Sequence, residues 1–380
     1  MEKRQCTKCK CDFMLDANDF SFYEKMKVPA PTVCPDCRFK MRAVWRNEMS
    51  LYNRTCAKTG IPIISMYNPA SPYIVVSHEY YESDAFNGGD YSREYDTSRS
   101  FFEQFDELLK SVPKAATFLS TGDGPTVNSN YSNYAGGLKN CYLVFNTGPA
   151  EESLYCRGMR KVKECCDSYF GFQNELLYEC VNTQESSNVV YGNNVNAGLD
   201  CKFISNSSGC THTLCSVNQR NASYTIFNQQ VTKGEFEAKI KEIEGSYLRM
   251  EAIKKEFEVF EVTFPKRATH SIKSVDSTGD YLFGCKNVRD SFEVASGEDC
   301  RYIFSSKEIK DSYGTIGYGF RSERLLECTS TGYSTNCIGC AAATACQNVM
   351  YSHFMRTSQD CIGCDSMRKC KILHFEQGIF

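Results

Sequence analysis

The stretch ELLYECVNTQESSNVVYGNNVNAGLDCKFIS, residues 175–205, decides the fold prediction because short strand-like groups recur along it. The aromatic positions that mark such groups are Tyr142, Tyr155, Tyr169, Tyr178, Tyr191, Phe203 and Tyr224. Most intervals between them are close to a dozen positions, and the last is close to twice the others. Such a period is too short for a leucine-rich or helical repeat. It suits one strand and one turn of a coil with two or three strands, so the sequence predicts a parallel β-solenoid.

A second run of this pattern begins at residue 281. NELLYEC at 174–180 matches SERLLEC at 322–328 at an offset of 148, which indicates an internal duplication. Between the two runs, TKGEFEAKIKEIEGSYLRMEAIKKEFEVFE is rich in Glu and Lys and has apolar residues at helical spacing. This segment predicts a helical hairpin that interrupts the solenoid.

The composition predicts a protein of a reducing cytoplasm. The chain has 380 residues and a formal net charge of −3, so it has no global attraction to nucleic acid. Its 23 cysteines are an odd number, and no apolar run follows the charged start MEKRQC, which is unlike a disulfide-bonded secreted protein. No stretch reaches the length of an apolar membrane span. We therefore expect the cysteines to be metal ligands or small apolar core residues.

Two Cys-x-x-Cys pairs near the amino terminus predict one structural zinc ion as cofactor. Cys6 and Cys9 form the first pair, and Cys34 and Cys37 form the second. Four thiolates at such spacing are typical ligands of tetrahedral Zn²⁺. Cys11 is a surplus thiol that could replace Cys9. RFKMRAVWRNEM after the second pair predicts a helix, which is the plan of a treble clef.

The opening CTKCKCDF…FSFYEKMKVPAPTVCPDCRFKMRAVWRNEMSLYNRTC resembles uncharacterised cysteine-rich proteins of candidate-phyla-radiation bacteria. Those proteins have a treble-clef zinc-ribbon N-terminus and a repetitive C-terminal region, and the similarity continues through FFEQFDELL and RNASYTIFNQQVTKGEFE. The resemblance implies a second paired-cysteine site. The matching positions here are Cys56, Thr59, Ser77 and Tyr80, so three of its four ligands are absent.

The predicted fold is mainly β: an N-terminal treble-clef zinc module followed by a duplicated parallel β-solenoid (β-helix) interrupted by a helical hairpin. The predicted boundaries are 1–58 for the zinc module, 59–127 for a small α/β connector, 128–230 for the first solenoid half, 231–268 for the helical insertion and 269–380 for the second half.

The motif CIGC, at 337–340 and again at 361–364, allows two interpretations. Cys-x2-Cys-x20-Cys-x2-Cys is a zinc pattern. We take the interval from Cys337 to Cys361 as one coil, so the cysteines could instead stack as equivalents in the interior. Positions i and i+3 of a strand face opposite sides, so one metal could take all four thiols only if a corner at Gly339 and Gly363 turns the chain. We favour stacking, and we expect most cysteines after Cys56 to be packing residues.

Residues 1–58 contain 12 Lys and Arg against 7 Asp and Glu, a local charge of about +5. The only tryptophan lies among these cations, and a ring beside guanidinium groups can stack on a base while the cations contact phosphates. Alternatively, the tryptophan packs against the zinc module and the cations are ordinary solvated surface. The candidate nucleic-acid-binding residues are Arg38, Lys40, Arg42, Trp45, Arg46 and Arg54.

Asp or Asn recurs just before the strand-like groups. Two carboxylates on a solenoid face could form the acid–base pair of a carbohydrate-active enzyme. Residues of this type also form turns by bonding their own backbone, and their recurrence in nearly every unit favours that role. The positions are Asn140, Asp167, Asp200, Asp290, Asp299, Asp311, Asn336 and Asp360.

The sequence thus predicts a cytoplasmic, zinc-stabilised, non-enzymatic binding protein. Its basic zinc module would contact RNA or a ribonucleoprotein, and the solenoid would be the recognition scaffold. Two alternatives remain open: an assembly protein that docks onto a protein partner or onto itself through solenoid faces or ends, and an acid–base enzyme on the solenoid face. No catalytic residue is assigned.

Overall fold

The computed structural model describes residues 1–120, 122–317 and 319–373. In these ranges the chain is mainly β, and most strand pairs are parallel, as predicted. The last residues of the predicted second solenoid half, 374–380, lie outside the described residues.

The N-terminal segment, residues 1–50, consists of an antiparallel hairpin and two helices. Asp16 caps the first helix by accepting hydrogen bonds from the backbone N–H groups of Asn18 and Asp19. Cys34 precedes the second helix, and Pro35 occupies its first position, where the missing N–H costs nothing. The elements are β1 (Glu2–Gln5), β2 (Asp12–Leu15), α1 (Ala17–Lys25) and α2 (Pro35–Ala43).

A second unit of hairpin and helices follows at residues 52–115. Val75 and Val76 pair in parallel with Lys114 and Ala115, which brings the end of the last helix back to the hairpin. The elements are β3 (Tyr52–Thr55), β4 (Pro62–Ser65), β5 (Val75–Val76), α3 (His78–Glu82), a 3₁₀ turn (Gly88–Tyr91), α4 (Phe101–Ser111) and β6 (Lys114–Ala115).

Parallel strands in a ten-stranded, a three-stranded and an eight-stranded sheet make up most of the remaining chain. We call the strands of this part before residue 231 the first ladder, and those after residue 268, which form the two smaller sheets, the second ladder. The first ladder begins after the short strand β7 (Leu119–Ser120) and ends on one antiparallel strand. Its strands are β8 (Ala135–Gly136), β9 (Leu138–Lys139), β10 (Ala150–Glu151), β11 (Arg157–Lys163), β12 (Tyr169–Tyr178), β13 (Val181–Gln184), β14 (Ser187–Asn196), β15 (Leu199–Ser208), β16 (Thr211–Val217), β17 (Ser223–Ile226) and β18 (Gln229–Gln230).

Two helices separate the ladders, at the position of the predicted hairpin: α5 (Lys233–Ile243) and α6 (Tyr247–Glu261). Phe236 and Phe257 of these helices pack on Phe203 and Leu214, so the helices cover the far end of the first ladder. The strands of the second ladder are β19 (Gly279–Phe283), β20 (Lys286–Arg289), β21 (Ser291–Ala295), β22 (Glu298–Arg301), β23 (Phe304–Lys307), β24 (Ile309–Lys310), β25 (Ser322–Leu326), β26 (Thr335–Ile338), β27 (Gln347–Met350), β28 (Gln359–Ile362) and β29 (Lys371–Leu373).

We call each stretch of chain that pairs with the next in a ladder a rung. Equivalent positions on neighbouring rungs are mostly 12 residues apart, as Ser334 and Cys346 are. Val189 pairs with Cys201, and Cys201 pairs with Thr213. In the second ladder Val349 lies between Cys337 and Cys361. The expectation that the interval between the two CIGC motifs is one coil, with the motifs as direct neighbours, is therefore wrong. One rung is longer, since Ile309 pairs with Ser322.

A left-handed residue at almost every third position explains the short repeat. Residues 188, 191, 194, 197 and 200 have φ of 53, 57, 56, 52 and 52°. A residue in this region bends an extended chain, so four bends fall within each regular rung. All eight Asp and Asn residues that recur just before the strand-like groups have φ between 45 and 54°, as turn-forming residues do.

The buried positions follow the same period of three. In the first ladder, successive buried residues are Leu177, Cys180, Thr183, Ser186 and Val189. Because the chain bends between them, residues three apart point to the same interior rather than to opposite faces. Fourteen of the seventeen cysteines after Cys56 are buried, which confirms their role as interior residues.

Candidate metal centre and its surroundings

Four cysteines of the N-terminal segment come together as the sequence predicts. Cys6 and Cys9 lie in the turn between β1 and β2, and Cys34 and Cys37 lie at the start of α2. Their Sγ atoms all lie within 4.8 Å of one another. Within the described residues, this is the only group of three or more Cys, His, Asp or Glu side chains that are close enough to hold a metal ion.

Backbone geometry shapes the turn that carries the first cysteine pair. The N–H of Cys6 donates to the carbonyl of Cys11 over 2.9 Å, and the N–H of Lys10 donates to the carbonyl of Cys6 over 3.0 Å. Lys10 is left-handed, with φ of 64°. The Sγ of Cys6 accepts the N–H of Cys34 over 3.3 Å, which joins the turn to the start of α2.

The charge states of the four thiols favour a bound cation. Burial raises the pKa of Cys6, but the N–H groups of Cys34, Cys9 and Lys8 together lower it by a larger amount. The resulting pKa is about 6. The neighbouring Cys9 and Cys34 sulfurs, together with burial, raise the pKa of Cys37 to about 12. Four thiolates cannot coexist at this spacing without a positive charge between them, and a divalent metal supplies it. Cys11 is exposed and stands outside the group, so Cys9, and not Cys11, is the member from this turn that could bind a metal with Cys6.

The second unit repeats this turn without the ligands. The N–H of Cys56 donates to the carbonyl of Ile61 over 2.8 Å, and Gly60 occupies the left-handed position with φ of 74°. The Sγ of Cys56 accepts the N–H of Ser77 over 3.2 Å, and the hydroxyl of Ser77 caps α3 at Tyr80. Hydrogen bonds therefore hold the turn in a place where the first unit brings four sulfurs together.

Three of the six predicted nucleic-acid-binding residues are buried between the N-terminal segment and the second ladder. Arg38 donates to Glu327 over 2.8 Å and to the Tyr23 hydroxyl over 3.2 Å. Arg42 lies 3.9 Å from the same carboxylate, and burial lowers its pKa to about 10. Arg46 donates to Glu48 over 2.5 Å.

The basic surplus of the N-terminal segment thus meets acids of the second ladder. Lys25 pairs with Asp311 over 2.5 Å on the surface, in addition to the buried pairs on Glu327. The stacked rings of Phe22 and Tyr313, with centroids 3.9 Å apart, seal the same contact. Part of the charge asymmetry seen in the sequence is therefore used inside the molecule.

The other three predicted residues do not form one patch with the buried arginines. Lys40 is exposed on α2, and Arg54 donates to the carbonyl of Asn68 over 2.9 Å and to Ser71 over 3.0 Å. Trp45 is 44% exposed, and its ring centroid lies 5.8 Å from that of His353. A nucleic-acid role for these six residues stays a prediction.

Trp45 stands at the rim of a cavity of about 240 Å³, which we name the seam cavity. It is enclosed by the N-terminal segment, the second unit and both ladders. Tyr67, Tyr73 and Tyr134 supply aromatic walls, and Lys114 and His353 supply polar groups. Sequence reasoning missed this site, because its residues share no motif and lie far apart in the chain.

The cysteines of the two CIGC motifs belong to the interior of the second ladder. Cys337, Cys340 and Cys361 are in one apolar core cluster, with Cys364 packed against it. Gly339 and Gly363 are left-handed, with φ of 61 and 66°, so the corner that a shared metal would require is present. The four thiols nevertheless do not gather into a metal-binding group.

Comparisons with known proteins do not identify a family. No family model matches the chain, and no curated protein matches it. Among solved structures, the chain is similar to a protein described as an acetyltransferase from Desulfovibrio desulfuricans G20, with 12% sequence identity over 76% of this chain and 72% of that chain. The TM-score of 0.14 is too low for this likeness to support a shared fold or activity. No helix of the described residues combines the length and apolar character that crossing a membrane requires.

Proposed function

We propose that the protein is a zinc-stabilised, non-enzymatic binding protein of a reducing cytoplasm, in which two solenoids form the scaffold. The observation that carries the proposal is the position of the four-cysteine group. It lies in the N-terminal segment, which packs against the second ladder. Glu327 of that ladder meets Arg38 and Arg42, which follow the metal-binding pair on the same helix. The metal would therefore stabilise the N-terminal segment, against which the second ladder packs.

Zinc is the metal that suits the donor set. Four cysteine thiolates in two Cys-x-x-Cys pairs favour tetrahedral Zn²⁺ with all positions filled by protein, at Zn–S distances of about 2.3 Å. A hairpin that carries one pair and a helix that begins at the other are the parts of a treble clef. Such a closed site has no open position for substrate, so its role is structural.

Two features support the solenoid. The same pairing offset holds over most of both ladders, and the left-handed residues divide each regular rung into four short sides. The cysteines agree with the proposed reducing compartment, since most of those after Cys56 are buried and pack as small interior residues.

Zinc content and melting temperature of two matched variants test the structural metal. Cys9→Ser removes a ligand, whereas Cys11→Ser removes an exposed thiol two positions away that is outside the group. We expect wild type and Cys11→Ser to hold about one zinc per chain and to melt at the same temperature. Cys9→Ser should lose the metal and melt several degrees lower.

Chelation provides the second readout. In the metal-loaded protein a thiol reagent should modify Cys11 quickly and the four clustered thiols slowly. A strong chelator should make Cys9 react quickly as well, because Cys9 is exposed and hydrogen bonding lowers its pKa. A Cys9→Ser protein with a full zinc complement, or fast labelling of Cys9 before chelation, would overturn the proposal.

RNA binding is a second candidate, which the partial exposure of Trp45 favours. Lys40 is exposed on the preceding helix and offers a phosphate contact close in sequence to the ring. Titration of the full chain with mixed single-stranded RNA should give an affinity that falls as salt rises. Trp45→Ala should weaken binding about tenfold. Lys286→Glu, on an exposed side chain of the second ladder, is the control that should bind nearly as wild type. Affinity that ignores salt, or that Trp45→Ala leaves unchanged, would contradict this role.

A further inference from the structure

Two members of an ionisable trio line the seam cavity, and the metal centre does not involve them. His353 and Asp365 are partners on neighbouring rungs, and Lys114 joins them from the second unit. Lys114 lies at β6 and contacts the carboxylate of Asp365 with its Nζ. His353 Nδ1 lies 3.1 Å from the other carboxylate oxygen. Lys114, His353 and Asp365 are 1, 8 and 2% exposed, and Lys114 and His353 line the cavity.

The protonation states follow from the contacts. An ionised carboxylate can only accept hydrogen bonds, so Nδ1 of His353 carries the proton that it donates to Asp365. Burial and the nearby Lys114 charge lower the pKa of His353 well below its ordinary value, so the ring is neutral. Its Nε2 is then a hydrogen-bond acceptor. Burial lowers the pKa of Lys114 well below its ordinary value. The carboxylate of Asp365 in contact with its Nζ is the neighbouring group that favours the ammonium form.

The trio has no net charge when Lys114 is an ammonium, Asp365 is a carboxylate and His353 is neutral. A charged ligand would introduce an unbalanced charge beside these buried groups, which is costly. A neutral ligand has no such penalty. Lys114 keeps N–H donors beyond the one that faces Asp365, and the His353 ring presents an acceptor.

The walls restrict the shape of the ligand. Trp45, Tyr67, Tyr73 and Tyr134 enclose the space, and Lys114 lies 6.0 Å from the centroid of the Tyr73 ring. Aromatic rings of this kind contact the faces of a flat ring. At about 240 Å³ the cavity is smaller than pockets for drug-sized ligands, which span about 300 to 1,000 Å³, so a single small ring system suits it.

We propose that the seam cavity binds a neutral, planar heteroaromatic base of the nucleobase type, with a hydrogen-bond donor beside an acceptor on one edge. The Lys114 ammonium donates to the acceptor of the ligand, Nε2 of His353 accepts from the donor, and Trp45 closes the cavity over one face of the ring. This inference rests on the proposed role as a binding protein, and it assigns that role a ligand class and a site.

Fluorescence of Trp45 provides a local readout, because the chain has only one tryptophan. Adenine should change the emission saturably, and calorimetry should give the same affinity. Purine keeps the ring shape but lacks the exocyclic amine, so it should bind at least about tenfold more weakly, as expected for one unpaired buried group. Benzoate, which is flat but charged, should not bind.

Two variants and one control locate the binding. His353→Leu removes the acceptor, and Lys114→Met removes the donor; each should weaken adenine binding about tenfold or more. Lys110→Met changes an exposed lysine of α4 that pairs with Asp106 on its own helix, and it should bind as wild type. Since Lys114→Met leaves Asp365 without its counter-charge, the double variant Lys114→Met with Asp365→Asn keeps the test valid if the single variant does not fold.

The source of the base is decided by comparing adenine, adenosine and a short oligoadenylate. Tighter binding of the oligomer assigns the base to single-stranded RNA, whereas equal or tighter binding of adenine assigns it to a small molecule. No saturable binding of any base, or binding that His353→Leu and the lysine variants leave unchanged, would overturn the inference. The zinc and thiol experiment would be unaffected by that result, so the two proposals fail separately.

Discussion

At the residue scale, small polar residues of the core do more than fill space. Ser334 is buried, its hydroxyl donates to the carbonyl of Gly332 over 2.8 Å, and it accepts the N–H of Cys346, one rung away, over 3.0 Å. Cys180 acts in the same way, donating to the carbonyl of Tyr178 over 3.4 Å and accepting the N–H of Gly192 over 3.4 Å. At the bends, backbone N–H groups such as those of Cys346 and Gly192 donate to these side chains. This explains why serine and cysteine share the same interior positions.

Substitution of Ser334 tests that explanation. Ser334→Ala leaves the buried N–H of Cys346 without its partner, while the carbonyl of Gly332 still accepts the N–H of Ala345, and it should lower the free energy of unfolding by about 1–3 kcal/mol. Ser334→Cys keeps a weak donor and acceptor of similar size and should be less destabilising. Urea unfolding of both variants measures the difference, and a cysteine variant as unstable as the alanine variant would show that the hydrogen bonds are not the reason for the residue choice.

At the element scale, the two hairpin units show alternative ways to hold the same turn. In the first, four sulfurs surround a metal position, and in the second, Cys56, Ser77 and Gly60 make hydrogen bonds instead. Both turns have a left-handed residue four positions after the first cysteine. The backbone form of the turn therefore persists where the ligands do not.

The contact between α2 and the second ladder depends on one carboxylate. Glu327→Gln should destabilise the protein by about 1–2 kcal/mol, because Arg38 and Arg42 are buried and would lose their counter-charge; the partial exposure of Glu327 limits the loss. Glu308→Gln is the matched control on the same ladder, since its partner Arg321 is 68% exposed, and it should cost clearly less. Equal losses of unfolding free energy in the two variants would argue against a special role for the buried arginines.

Glu48 links the N-terminal segment to the first ladder and should make stability depend on pH. Burial raises the pKa of Glu48, but Arg46 and Arg157 together lower it by a larger amount. The pKa of Glu48 in the folded protein therefore lies below the ordinary value of 4.5. Its contribution is complete above about pH 4.5 and is lost as the pH falls through the folded pKa. The difference in unfolding free energy between wild type and Glu48→Gln should therefore shrink between pH 6 and pH 3. A constant difference would show that ionisation of Glu48 does not support the contact.

At the scale of the whole molecule, the local features could be predicted from the sequence and the long-range ones could not. The four clustered cysteines come in pairs three positions apart, and each pair lies in one turn, so the spacing alone predicts the group. The true rung length escaped prediction because residues such as Tyr191 and Phe203 adopt left-handed φ, a conformation that sequence rules reserve for Gly, Asn and Asp.

Burial of the predicted basic surface also needed the fold. Arg38 forms an ion pair with Glu327, which is 289 residues away in the sequence. Lys114 forms one with Asp365, which is 251 residues away. Neither separation follows from any local pattern. The charge count of the predicted zinc module was correct, but it could not tell a surface for an external partner from one that the chain itself covers.

The uniform rung length has a consequence for how such a chain can change over generations. A tandem duplication of the codons for one rung adds a level to the stack and leaves every other backbone partner in its old relationship. A duplicated segment of another length shifts the pattern of three. Residues that were buried would then fall at the left-handed bends, and residues from the bends would become buried. The rung with one additional residue, and the pairing of Ile272 with Phe283 at one residue fewer, mark the small departures that the repeat tolerates. Growth by whole levels is therefore the route open to this architecture.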